Sequence, residues 1–231
     1  MLETVPLHGH DLKVHLAPSA VHTSPLIVYA TGDTGWRDTD KALFHTLATW
    51  GYPVAGVSAP EYVDHLGDEE NMPGPEDVAT DFAEIVTTAE TALGLASSTP
   101  VVLVGISRGA GLAVAVGSAS LLGGRLLGIV AIALTREEEN VSVQSAETTL
   151  EAELAPLETY GILPSLGETR VAVIQSTNDE YVPAAEARAL FGPDTTSRRL
   201  RAIDSENHSF DGARVALDKE MKKSFEWIVQ R

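Results

Sequence analysis

The sequence predicts an α/β fold with a mostly parallel central sheet and helices on both faces. Two observations lead to it. Short apolar runs of strand character alternate with helix-length stretches along the 231 residues, the rhythm of successive β-α-β units. One of those runs, Pro100-Val101-Val102-Leu103-Val104, leads through Gly105-Ile106-Ser107-Arg108-Gly109 into the small apolar stretch 110–116. That order reads as a buried strand, a tight turn, and a helix packed closely on the sheet. The length suits a single domain over 1–231 with a sizeable core.

Taken in chain order, strands are expected at 12–16, 26–31, 53–58, 100–105, 126–133, 170–175 and 198–203. Helices are expected near 38–50, 75–94, 108–121, 183–191 and 213–230. His8 and His10 alternate on an N-terminal hairpin and are expected to be exposed. Asp38 is expected to cap a helix that ends at Gly51, with Pro53 just beyond. Pro75 sits at a first-turn position beside Glu76 and Asp77, where acidic groups favour a helix N-terminus. After it, Val78, Phe82, Ile85, Val86 and Ala89 recur at close to the helical period. Residues 134–169 break the rhythm, because they separate two strands by far more than an ordinary connection. This stretch runs from Glu137-Glu138-Glu139-Asn140 through Glu147-Thr148 to Pro156-Leu157. It reads either as a short cap over the functional edge or as a surface insertion.

Composition excludes several classes. An apolar fraction of 44% and a charged fraction of 21% are those of a soluble globular protein, and neither repeats nor low-complexity tracts occur. No apolar run approaches the ~20 residues that cross a bilayer. The start Met1-Leu2-Glu3-Thr4-Val5-Pro6-Leu7 lacks the basic and apolar segments of an export signal, so the compartment stays open. The chain has no cysteine, which removes disulfides, thiolate metal sites and a cysteine nucleophile. Sixteen Lys and Arg against thirty-three Asp and Glu give a net charge of −17. That argues against nucleic acid and against attraction to an anionic membrane. It suits a cationic substrate, or simply solubility. No histidine pair has metal-ligand spacing, and H-E-x-x-H is absent.

The strand, G-x-S-x-G and helix together form a nucleophile elbow, the hallmark of the α/β-hydrolase fold. Gly105 and Gly109 are needed because neighbouring chains come too close for a Cβ. An activated serine needs a base and a group that orients it. In this fold the acid and then the histidine follow the serine, and His208 is the only histidine after Ser107. It lies in a loop after a strand, where such a base projects. The acid is expected in the turn after Val171-Ala172-Val173-Ile174-Gln175, as Asp179 with Glu180 as fallback. The oxyanion donors are expected from the backbone N–H of Arg108 and from the loop Thr31-Gly32-Asp33-Thr34-Gly35-Trp36, Asp33 first and Thr34 next. That loop lacks the lysine and spacing of a phosphate-binding turn. No metal or organic cofactor is required.

Four segments resemble the bacterial virulence-protein VirJ/AcvB family. Gly32-Asp33-Thr34-Gly35-Trp36 through Asp40-Lys41 is similar to its G-D-G-G-W-x-x-x-D-K signature, and Gly51-Tyr52-Pro53-Val54-Ala55-Gly56-Val57 to its third-strand segment. Gly105-Ile106-Ser107-Arg108-Gly109-Ala110 resembles its G-Y-S-F-G-A elbow, and His208-Ser209-Phe210-Asp211-Gly212 its H-H-F-D-G ending. The resemblance spans about 24–230. It implies a periplasmic serine hydrolase that acts on aminoacylated phosphatidylglycerol, notably the lysyl form, and supports Ser107 and His208. It places Asp33 beside the oxyanion hole and Asp179 near the acidic position. Here Thr34 stands for a glycine, Arg108 for an aromatic residue and Asn207 for a histidine. Ala59-Pro60-Glu61-Tyr62-Val63 replaces an aromatic stretch, and the cysteine after the acid is missing. These departures surround the pocket, whose candidate wall residues are Thr34, Trp36, Tyr62 and Asn207. A protein partner is not indicated; the partner expected is a small-molecule or lipid ester.

Overall fold

The computed structural model describes residues 1–66, 72–144 and 154–230. Its order begins with β1 (Leu2–Leu7), β2 (His10–Ala17), β3 (Leu26–Ala30), α1 (Asp38–Thr49), β4 (Val54–Val57), α2 (Ala59–Val63), α3 (Pro75–Leu93), β5 (Val101–Ile106) and α4 (Arg108–Ser118). After a 3-10 turn come β6 (Leu126–Ile132), β7 (Glu137–Gln144), β8 (Leu154–Glu158), α5 (Thr159–Ile162), β9 (Arg170–Ser176), α6 (Ala184–Phe191), β10 (Arg198–Ile203) and α7 (Arg214–Val229). Eight strands form one sheet in the order β1-β2-β4-β3-β5-β6-β9-β10. From β4 to β10 all neighbours pair in parallel, and β2 runs antiparallel to both β1 and β4. This is the α/β-hydrolase architecture that the sequence predicts.

Alternation of side chains builds a core on each face. Val28, Leu103, Ala131 and Val173 point to the face covered by α3 and α4. Tyr29, Val104, Ile132 and Ile174 point to the other, covered by Leu43 and Leu47 of α1 and by Leu217, Met221, Phe225 and Ile228 of α7. Because both faces are covered, the central strands are apolar throughout, as β3 and β5 are.

Several local expectations change. Asp38 is the first residue of α1 and not its cap: Arg37 is the N-cap, and no side chain bonds the helix start. The helix expected to 121 ends at Ser118 and passes into a 3-10 turn, Ser120–Arg125. Pro75 does open α3, where the Asp77 carboxylate accepts from the Gly74 N–H at 2.9 Å. His8 and His10 flank the β1–β2 turn, and the His8 imidazole meets Asp81 at 2.8 Å. In 134–169, β7 and β8 pair antiparallel as a two-stranded sheet. The Glu147-Thr148 part of that stretch lies outside the described residues.

Candidate active site

Ser107 stands between β5 and α4 with φ 54° and ψ −122°, a conformation that side chains rarely adopt and that costs ~1–3 kcal/mol. Close packing holds it there. A Cβ on Gly105 would lie 2.0 Å from the Gly109 carbonyl oxygen, and one on Gly109 would lie 2.3 Å from that of Ala30. Both neighbours are main chain, so neither can yield cheaply. The elbow is therefore wedged between β3 and its own helix, with Ser107 8% exposed.

The four strand ends beside the elbow are laced together. Ser107 N–H donates to Ile132 O at 2.8 Å, Ala133 N–H to Ile174 O at 2.8 Å, and Thr177 N–H to Ile203 O at 2.9 Å. The loops after β5, β6, β9 and β10 consequently emerge side by side at the carboxyl edge, where α/β sheets bind ligands.

Asp179 leaves the end of β9 and is 1% exposed. One carboxylate oxygen accepts from Tyr181 N–H at 2.8 Å and Val182 N–H at 3.1 Å. The other accepts from Gln175 Nε2 at 3.0 Å and His208 Nδ1 at 2.7 Å. Burial alone would raise this carboxyl. The His208 and main-chain hydrogen bonds outweigh burial and hold it below the usual aspartate value. Glu180 does a different job: its carboxylate accepts from the His208 backbone N–H at 2.8 Å and so fixes the loop. Tyr181 packs edge-on against the imidazole, with centroids 4.8 Å apart. With Nδ1 committed to Asp179, Nε2 is buried and has no hydrogen-bond partner among the described residues.

Across the elbow, Gly35 N–H donates to Gly32 O at 3.1 Å and closes a turn with Asp33 and Thr34 at its tip. Gly35 has φ 64°, the left-handed conformation that glycine takes without strain. A Cβ on Gly32 would lie 3.7 Å from that of Ser107, so the turn runs alongside the serine. Asp40, read in the sequence only as part of a signature, anchors this loop from beneath. Its buried carboxylate accepts from Gly32 N–H at 3.0 Å and from Tyr29 OH at 2.9 Å. Burial raises the Asp40 carboxyl, and these two donors pull it back.

A cavity of about 400 Å3 opens at this edge, lined by Ser107, Arg108, Asp33, Tyr181, Val182 and the segment 135–139. Glu138 is 2% exposed; burial raises its carboxyl, opposed by Asn140 and Arg108. Its side chain occupies the space that a Cβ on Gly111 would need, at 2.7 Å. Hence β7 seats directly on α4 beside the elbow.

The four expected wall residues lie outside this cavity. Trp36 packs against Phe44, Tyr29 and His15 beneath the sheet edge. Tyr62 is buried and donates to Asp81 at 2.8 Å. Thr34 is exposed at the turn tip, and Asn207 binds Asp211 at 2.8 Å within its own loop. The wall comes instead from Glu137, Glu138 and Glu139, whose charge run gave no hint that one member is buried.

Residues 24–121 match a known family. The matched stretch is that of the bacterial virulence protein (VirJ) family. It carries the Gly32–Lys41 loop and the Ser107 elbow and stops before Asp179 and His208. No curated protein matches the chain. Solved structures share its fold at low identity. Est1E from Butyrivibrio proteoclasticus has a TM-score of 0.71 and 14% identity, covering 100% of this chain and 99% of its own. An esterase domain from Rhodothermus marinus gives 0.64 and 14%, over 99% and 97%. An alpha-beta serine hydrolase homologue from Coxiella burnetii gives 0.67 and 14%, over 96% of both chains. The VirJ-matched stretch thus sits in a complete α/β-hydrolase fold. Among the described residues, no helix is long and apolar enough to cross a membrane.

Proposed function

We propose that the protein is a serine hydrolase that cleaves a carboxylic ester through an acyl-enzyme. Ser107 Oγ attacks the ester carbonyl while His208 Nε2 takes its proton, and the C–O bond to the alcohol breaks as His208 returns that proton to the leaving oxygen. Water then repeats the sequence on the acyl-enzyme, releasing the acid and free Ser107. Asp179 holds Nδ1–H and stabilises the imidazolium. The backbone N–H groups of Arg108 and Asp33 receive the oxyanion, a contribution of ~3 kcal/mol per donor in measured holes. The observation that carries this reading is the buried Asp179–His208 contact at 2.7 Å, at the edge where Ser107 is held in a strained elbow.

The cavity favours a cationic acyl group. Its wall carries four carboxylates, from Asp33, Glu137, Glu138 and Glu139, against the two guanidinium groups of Arg108 and Arg136. An aminoacyl ester has the matching cationic group, and β7 with β8 acts as a small cap over that end of the cavity. The alcohol is then either a phospholipid headgroup, as in lysyl-phosphatidylglycerol, or a small soluble alcohol. A panel of lysyl- and alanyl-phosphatidylglycerol with short p-nitrophenyl esters separates these, with Ser107→Ala as control. Release of free lysine from the lipid, lost in Ser107→Ala, is the expected result. Turnover of the soluble esters alone moves the substrate to that class. If no ester is cleaved and a partner protein co-purifies, a binding role on a hydrolase scaffold replaces the enzymatic one.

A further inference from the structure

We infer that the side chains of Arg108 and Asp33 form a clamp that sets the spacing of the two oxyanion donors. The inference rests on the serine-hydrolase reading, and goes beyond it by giving both side chains a task. Arg108 Nε donates to Asp33 Oδ1 at 2.6 Å, joining residues 75 positions apart. These are the two residues whose backbone N–H groups are proposed above to receive the oxyanion, one at the start of α4 and one at the tip of the 32–35 turn. The side-chain pair therefore ties together the two main-chain units that carry the donors.

The base of the loop is held at Thr31 by Val57 and Ala59, at Gly32 by Asp40, and by the Gly35–Gly32 hydrogen bond that closes the turn. Asp33 and Thr34 lie at the tip beyond these anchors and are exposed. Among the described residues the Arg108 guanidinium is the one hydrogen-bond partner of the Asp33 carboxylate. The Arg108 side chain is 23% exposed and that of Asp33 55%, so the pair is partly shielded by the cavity wall. Glu138 and Glu139 add negative charge around Arg108. Without the side-chain tie at its exposed tip, the Asp33 N–H could shift by a fraction of an ångström, and oxyanion stabilisation depends on that distance. An aromatic residue at position 108 cannot make such a clamp, so this arrangement is a property of the present chain.

A clamp predicts coupled loss in the chemical step, whereas an incidental surface ion pair contributes almost nothing. The test is a double-mutant cycle with Arg108→Gln, Asp33→Asn and both together, read with p-nitrophenyl acetate and with the rate of fluorophosphonate labelling. Each single change is expected to lower kcat about tenfold with KM within twofold, and the double change to cost no more than either single one. Arg108→Lys, which keeps the charge, is expected to recover part of the loss, and thermal unfolding of all variants to stay near wild type. Independent effects that multiply, or kcat unchanged in the singles, overturn the clamp. Ser107→Ala run alongside separates the two ideas. If wild-type turnover and labelling do not depend on Ser107, the hydrolase reading falls and takes the clamp with it. Loss in Ser107→Ala without coupling in the cycle removes the clamp alone.

Discussion

Asp179→Asn is expected to lower kcat by about 10⁴, the loss measured when the orienting aspartate of a serine protease is changed the same way. The reason is visible in the bonding of the carboxylate. Its two oxygens are filled by four donors, from Tyr181, Val182, Gln175 and His208. An asparagine keeps one oxygen for the two main-chain N–H groups. It then turns an amide N–H₂ toward Gln175 Nε2 and His208 Nδ1, both of which donate. The imidazole is pushed to the opposite tautomer, with its proton on Nε2, where it cannot accept one from Ser107.

The same substitution has a stability signature of definite sign. The Asp179 carboxyl is depressed in the folded protein. Its contribution is therefore fully present above the unfolded aspartate value of about 3.9 and is lost as pH falls through the lower folded value. Asparagine does not titrate. The gap in urea midpoint between wild type and Asp179→Asn is expected to be widest near pH 7 and to narrow below about pH 4. A pH-independent gap, or kcat within tenfold of wild type, contradicts the assigned role.

Gly109→Ala is expected to be strongly destabilising, with a loss of about 3 kcal/mol or more. The added Cβ would lie 2.3 Å from Ala30 O and 2.5 Å from Thr31 O. Both atoms belong to the strand and loop that carry the Asp33 turn, so relief requires prying α4 away from β3. Activity falls with stability, because the same movement separates Asp33 from Arg108. Gly124→Ala is the matched control: nothing lies within 4 Å of its added Cβ, and its effect is expected to stay within about 0.5 kcal/mol. Urea unfolding of the two variants decides the point. Equal midpoints for Gly109→Ala and wild type contradict the close-packing account of the elbow.

The parallel sheet was legible because its strands are buried on both faces and need no alternation to betray them. Val101–Ile106 and Val171–Ser176 are nearly continuous in apolar residues, and the glycines of the elbow mark where chains touch. The Asp179–His208 contact was legible for a different reason: β9 and β10 bring their loops together, and only one histidine follows Ser107. What stayed hidden depends on partners distant in sequence or on burial against type. Leu2–Leu7 forms a strand despite Pro6, because an edge position leaves a missing donor unpunished. Glu138 sits in a run of three glutamates that reads as solvated, yet it is buried against Gly111. Trp36 and Tyr62 look like pocket aromatics in the sequence. The fold uses one as packing against Phe44 and the other as a donor to Asp81. The Arg108–Asp33 pair joins residues 75 positions apart and leaves no local signal at all.

The central claim is that Ser107 is a nucleophile activated by His208 and Asp179. It is tested most directly by treating the protein with a fluorophosphonate and locating the adduct by peptide mass spectrometry. The account predicts a single adduct on the Ser107 hydroxyl, none at this site in Ser107→Ala, and labelling slowed by orders of magnitude in His208→Ala. Equal labelling of wild type and Ser107→Ala, or an unmodified Ser107 peptide in folded wild-type protein, contradicts it.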